Sequence, residues 1–261
     1  MYLRGHRPSC PRPLTRARDL TILARRPDPR PRHQQIAAQL RAEIMSGALR
    51  PGEQLPSTPH LVARFDAANA TIQRALQSLK DEAFLRGHAG KGVFVREKRQ
   101  FVVQAATYKA PGPRGYGYEL LDVAEVKPPN DVATALALSD GDRVVMRHRL
   151  LLHDGDPVEL SWSYYPLAIA AGSPLAGRKK IRGGAPQVLA QLGFPERRFE
   201  DRVSVRQPTT KEVEGLDLPA DVPVFRQFRV VYSDFQRPVE VSILIKGGHL
   251  YELSYDQVVG E

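Results

Sequence analysis

Several short runs in this chain carry residue types whose spacing could do chemistry. Asn69-Ala70-Thr71 followed by Gln73-Arg74 sets amide, hydroxyl and guanidinium groups around a small side chain. At the head of a helix such groups can reach base edges and phosphates in a duplex groove. Gly90-Lys91-Gly92, with His88 just before it, puts a cation between glycines whose missing Cβ would let the backbone approach a phosphate chain. Further along, Arg147 with Arg149, Glu159 with Ser161 and Ser163, and Glu240 with Ser242 are spaced two apart. In a strand each such set shares one face, and three converging polar rows would suit a small molecule bearing anionic and hydroxyl groups. The plainer alternatives are helix packing for Thr71, a tight turn for the glycines and a solvated strand face for the rows.

The elements that must hold these residues follow from periodicity and punctuation. Ile36, Leu40 and Ile44 at helical spacing before Gly47 predict a helix over 33–46. Ser57 can cap a second helix ending near Phe65, Pro59 being tolerated in its first turn. A third, over 69–82, would bury Ile72, Leu76 and Leu79 and leave Gln73 and Arg74 on other faces. Phe84-Leu85-Arg86 and Val93-Phe94-Val95 flank the glycine-rich stretch as a hairpin. Three helices and a basic hairpin make a winged helix-turn-helix over 33–99. Residues 1–32, rich in arginine and proline, read as a disordered basic arm, and 100–117, with Pro111-Gly112-Pro113, as a linker. From 118 to 257 strands are expected near 143–152, 157–165, 199–207, 223–233, 237–246 and 250–255, with helices near 131–139, 185–193 and 209–216. That pattern is an α+β unit on a mainly antiparallel sheet. Its hairpins from Arg149 to Glu159 and from Arg229 to Glu240 look alike, and both internal duplication and chance would explain this.

Composition narrows the function classes. The net charge is +9, distributed as +7 over 1–32, +4 over 33–99 and −2 over 100–261. The excess therefore sits where a phosphate backbone would be met, although 29 of the 38 basic residues are arginine, a bias that genome composition alone can produce. Cys10 is the only cysteine, which excludes an internal disulfide and a multi-cysteine zinc site. No apolar run reaches 18 residues and no signal-peptide core is present, so a cytoplasmic protein without membrane contact is expected. No Gly-x-Ser-x-Gly, His-Glu-x-x-His or complete P-loop occurs, so catalysis, metal and cofactor are not expected.

The string Leu49-x-Pro51-Gly52-x-x-Leu55-Pro56-Ser57, then Thr71-Ile72-x-x-Ala75-Leu76-x-x-Leu79, then Gly90-Lys91-Gly92-Val93-Phe94-Val95, resembles the DNA-binding domain of the GntR family. The resemblance implies DNA contacts by Ser57, Thr58, Asn69, Ala70, Thr71, Gln73, Arg74, His88, Gly90, Lys91 and Gly92. It also implies a homodimer on an inverted-repeat operator. Three positions where the family habitually carries arginine hold Pro59, Asn69 and Gln73 here, so a different operator is expected. Downstream, Arg147-His148-Arg149, Asp154 to Glu159, Ser163-Tyr164-Tyr165-Pro166 and Arg237-Pro238-Val239-Glu240 resemble the UTRA effector domain of the HutC-type branch, which shares its fold with chorismate lyase. This implies a repressor whose operator affinity changes when an effector binds Arg147 or Arg149 and Glu240; Glu159, Ser161, Ser163 and Ser242 of the polar rows, with Tyr164, are expected to complete the site. A constitutive DNA-binding protein and a lyase-like enzyme are the alternatives. At the family's usual aromatic and arginine before the last strand stand Lys246 and Gly247.

Overall fold

A computed structural model describes residues 27–96, the backbone of 101–104, and residues 116–219 and 222–254. The first unit has three helices, α1 (Arg32–Met45), α2 (Thr58–Phe65) and α3 (Asn69–Asp81), then strands β1 (Leu85–His88) and β2 (Gly92–Val95) paired as an antiparallel hairpin. Ile36, Leu40, Leu61, Ile72, Leu76, Leu79, Phe84 and Val95 form one apolar core, each nearly inaccessible. Asp66, at φ 45°, ends α2 in the left-handed region and turns the chain towards α3. Charged clasps frame this core. Arg41 holds the buried Glu82 through two bonds of 2.7 and 2.6 Å, Arg64 pairs with Glu43, and Arg32 donates to the Phe65 carbonyl at 2.6 Å. The expected basic arm lies outside the described residues except for 27–32, where Arg30 pairs with Asp28 at 2.7 Å and Arg32 opens α1.

The second unit runs β3 (Phe101–Gln104), β4 (Tyr116–Val126), α4 (Asn130–Ala135), β5 (Val144–His153), β6 (Asp156–Pro166), α5 (Leu167–Ala170), α6 (Gly184–Gln191), β7 (Arg198–Arg206), α7 (Thr210–Leu216), β8 (Val224–Tyr232), β9 (Pro238–Gly247) and β10 (Tyr251–Ser254). Six strands form an antiparallel sheet in the order β4-β5-β6-β9-β8-β7, and β3 pairs in parallel with β10. The expected strands from residue 143 onward are present within a residue or two. Two strands were not expected: β3 and the start of β4 fall where a linker was read, and β4 then continues to Val126. The helix expected to reach residue 139 stops at Ala135, because Ala137 turns into the left-handed region at φ 53°.

The sheet is palindromic. β4-α4-β5-β6 and β7-α7-β8-β9 are the same strand-helix-strand-strand unit, and β6 and β9 meet antiparallel at the centre. A local two-fold axis passes where Trp162 faces Ile243, so Ser161 corresponds to Ser242, Arg149 to Arg229 and Glu159 to Glu240. The likeness of the two hairpins is therefore carried by the whole topology. One face of the sheet is apolar beneath α4 and α7, with Val132, Leu136, Tyr164 and Phe228 in one cluster and Leu160, Leu216 and Ile245 in another. The other face packs Val145, Tyr165, Ile169, Leu175 and Val188 at the end nearest α5 and α6. Beyond them it carries the polar rows.

Candidate nucleic-acid interface and polar face

Helix α3 opens at Asn69 with Ala68 as its cap, and both Asn69 and Ala70 are exposed. Its apolar stripe, Ile72, Ala75, Leu76 and Leu79, is spent on the core, which leaves Gln73 and Arg74 pointing outward and Thr71 half-buried. Gln73 donates from Nε2 to the Thr58 hydroxyl at 3.2 Å, which ties the head of α2 to α3; Ser57 precedes it, exposed. At the hairpin tip Gly90 (φ 72°) and Gly92 (φ 105°) take the positive-φ backbone that favours glycine, and the Lys91 N–H closes the turn on the His88 carbonyl at 3.0 Å. Gln54 donates to the Lys91 carbonyl at 2.8 Å, and a Cβ on Gly92 would lie 2.6 Å from its Nε2. His88 stands edge-on to Phe94, 5.3 Å between centroids. Arg32, Arg41 and Arg64 are used in clasps, whereas Arg74, Arg86 and Lys91 are exposed and form no ion pair among the described residues. Arg86 was not foreseen. It is signalled only by alternation along β1, where Leu85 points inward and Arg86 outward.

On the second unit the register brings the expected rows together. Ser163 faces Arg147 on β5 and Ser242 on β9, and Arg149 faces Ser161. Arg149 donates to the Ser161 hydroxyl at 3.2 Å and to Ser163 at 2.5 Å, Ser163 and Ser242 lie 2.6 Å apart, and Ser242 donates to Glu240 at 2.5 Å. A continuous relay thus links a guanidinium to a carboxylate across three strands. The two arginines have different duties. Arg147, 2% exposed, donates to the carbonyls of Leu175 (2.7 Å), Gly177 (2.6 Å) and Lys179 (3.2 Å), so it clasps the loop after α5. Burial pulls its guanidinium below the usual arginine range. Tyr164 must be removed from the set, because strand alternation turns it to the opposite face, against Val132 and Phe228. Tyr165 replaces it. It is wholly buried, its Oη lies near Ser163 without a well-formed hydrogen bond among the described residues, and burial, then Glu240, raises its phenol well above the usual value.

Two buried ion pairs on this face escaped sequence reasoning. Glu159 meets Lys246 at 2.9 Å, with both side chains essentially inaccessible; Lys246 also donates to Gln227 at 3.2 Å and lies 5.5 Å from the Tyr251 ring centroid. Arg229 holds Asp201 through bonds of 2.8 and 2.7 Å beneath Phe199. Glu159 is thus engaged internally, at the opposite end of the row from Glu240. Among the described residues no group of three or more His, Cys, Asp or Glu could hold a metal ion, and no helix is long and apolar enough to cross a membrane.

Comparison with known proteins decides what these two surfaces belong to. The family model of the UTRA domain matches residues 113–252, and that of the bacterial regulatory proteins of the gntR family matches residues 32–95. The chain is a GntR-family transcriptional regulator with a UTRA domain. An HTH-type transcriptional regulator of Streptomyces coelicolor is 28% identical over 250 residues, covering 87% of this chain and 92% of that one. The histidine utilization repressor of Klebsiella aerogenes is 32% identical over 130 residues, 48% of this chain and 53% of that one. Among solved structures, PhnF from Mycobacterium smegmatis superimposes with a TM-score of 0.54 at 19% identity, covering 86% of this chain and all of that one. That likeness is one of fold. In this GntR regulator the helix-turn-helix surface and the polar sheet face fall within the two matched segments.

Proposed function

We propose that this GntR regulator is a repressor in the cytoplasm, without catalytic activity, which leaves its operator when a small polar effector enters the polar face of the UTRA sheet. The observation that carries this reading is the relay from Arg149 through Ser163 and Ser242 to Glu240, beside the buried Tyr165 hydroxyl, which has no well-formed hydrogen bond among the described residues. Buried polar groups are costly unless satisfied, and a ligand would supply the partner that a buried hydroxyl beside a carboxylate calls for. Asn69, Gln73 and Arg74 would read the major groove while Lys91 and the glycine tip meet the neighbouring backbone. An effector that favours one arrangement of two DNA-binding heads changes operator affinity by its difference in affinity for the two arrangements. The test uses an operator recovered from genomic fragments retained by the purified protein, followed by fluorescence anisotropy with candidate metabolites. Glu240→Gln and Arg149→Ala should keep operator binding and lose effector-induced release. Full release in both variants would move the pocket elsewhere.

The homodimer this reading requires has a candidate surface in β7. Its nine pairs with β8 run without a register shift, whereas the opposite edge, β4, is bulged between Leu120 and Asp122. Bulges protect edges, and β7 has none. It also exposes Phe199, Val203 and Val205. Antiparallel pairing of two copies about Asp201 would set Glu200 opposite Arg202 and Phe199 opposite Val203, each twice, as an isologous contact demands. Sedimentation of Val203→Lys should show a shift towards monomer. An unchanged dimer would place the contact on another surface.

A further inference from the structure

The local two-fold axis of the sheet allows each half of the polar face to be read against the other. Glu159 and Glu240 are equivalent positions, and so are the residues opposite them: Lys246 stands opposite Glu159, and continuing the register one step past Tyr164 and Val241 brings Tyr165 opposite Glu240. In one half the carboxylate is answered by an ammonium at 2.9 Å. In the other it is answered by a phenol whose hydroxyl lies near Ser163 without a well-formed hydrogen bond among the described residues, and the carboxylate accepts from Ser242. Both carboxylates are buried, Glu159 at 1% and Glu240 at 8% exposure. A carboxylate taken out of water needs a cation or several donors. One half of the duplicated sheet sets a lysine opposite its carboxylate and the other sets a tyrosine there, with no ion pair to Glu240 among the described residues.

We infer that the effector of this regulator carries an ammonium group and delivers it to Glu240, taking the place that Lys246 occupies against Glu159. The inference rests on the polar face being the effector site and adds the chemical class of the ligand. With the ammonium on Glu240, the Tyr165 hydroxyl donates to an acceptor atom of the same molecule. In the Arg147-clasped loop Arg178 is paired with Asp122 at 3.3 Å and Lys180 stands 4.7 Å over the Tyr118 ring, so the loop's cations are engaged on the protein itself or, as with Lys179, exposed. The class is therefore a small amine that also carries a hydrogen-bond acceptor.

The test measures thermal unfolding and operator release of the full chain against matched probes at equal ionic strength: ω-amino acids of two to five carbons against the hydroxy acids of the same lengths, and ethylamine against ethanol. At least one amine is expected to raise the melting temperature and bind at least ten-fold more tightly than its hydroxyl counterpart, and Glu240→Gln should erase that ratio. Hydroxyl and amine probes of equal effect, with both effects lost in Glu240→Gln, would overturn the ammonium while leaving the effector face in place. No response to any probe, or a response that Glu240→Gln leaves intact, would overturn both. Tyr165→Lys copies the other half of the sheet and supplies the cation internally. If it folds, it should be insensitive to the amines; a retained amine response in that variant would also count against the inference. Glu240→Gln carries the test should Tyr165→Lys fail to fold.

Discussion

Replacing Lys246 by Met removes one charge from a pair in which neither partner is more than 1% exposed. At 2.9 Å the attraction is about 6 kcal/mol for an effective dielectric constant near 20, most of it offset by the cost of taking both ions out of water. The net worth of the intact pair is therefore small. Losing one partner is another matter, since Glu159 would keep its desolvation cost without compensation, and such losses run to about 3–5 kcal/mol. Removing both charges in Glu159→Leu/Lys246→Met should return the protein to within about 1 kcal/mol of wild type. Trp162 is the only tryptophan and sits in β6 at the centre of the sheet, so its fluorescence follows unfolding of this unit alone. For a unit of this size the single variant should lower the urea midpoint by about 2 M, and the double variant should restore it. If the double variant is as unstable as the single one, the cost lies in lost packing of the lysine stem, and the pair is not what Lys246 contributes.

Other expectations follow from the same contacts. Arg74→Ala and Lys91→Ala should each weaken operator binding and flatten its salt dependence by about one unit per subunit, measured by anisotropy across a salt series; unchanged slopes would remove both residues from the phosphate contacts. Gly92→Ala forces a side chain into φ 105° and against Gln54, so it should cost the helix-turn-helix about 1–2 kcal/mol and loosen operator binding, whereas Gln54→Ala should only loosen the hairpin tip. His148 lies flat on Trp162 at 4.3 Å, and burial lowers its imidazole below 6.5. A depressed histidine gives stability that is present above the unfolded value and lost as pH falls through it. Wild type minus His148→Phe should therefore decline below about pH 6.5 by at most about 1.4 kcal/mol per unit, read from urea midpoints; parallel curves would exclude His148 as the titrating group.

The first unit was legible because its signals are local. Ile72, Leu76 and Leu79 lie on one helical stripe, and glycines mark the hairpin tip without reference to anything distant. β4 was not legible because it changes parity: Tyr118 and Leu120 share a face with Arg149, then the bulge after Leu120 hands that face to Val123. Alternation, the one cue for such a strand, breaks in its middle. On the polar face, spacing by two correctly grouped Arg147 with Arg149 and Glu240 with Ser242. Which groups touch was a matter of register, which no single strand encodes. Glu159 and Lys246 are 87 positions apart, and Lys246 read only as a departure from a family habit until the pairing of β6 with β9 set it opposite a carboxylate. Tyr164 and Tyr165 could not be told apart from composition, since only the parity fixed by Ser163 decides which one faces the relay.

The parallel pairing of β3 with β10 has a mechanical meaning. β3 follows the helix-turn-helix, β10 lies near the end of the chain, and Tyr251 is opposite Phe101. The chain therefore fastens its late segment to its own entrance. Only Gly248, His249 and Leu250 separate that fastening from β9, where Lys246 lies near the Tyr251 ring. Three residues and one strand pairing therefore connect β9 with the first residues of the unit. The strand that carries Glu240 is thus coupled to the entry strand β3 through β10, in addition to its sheet neighbours β6 and β8.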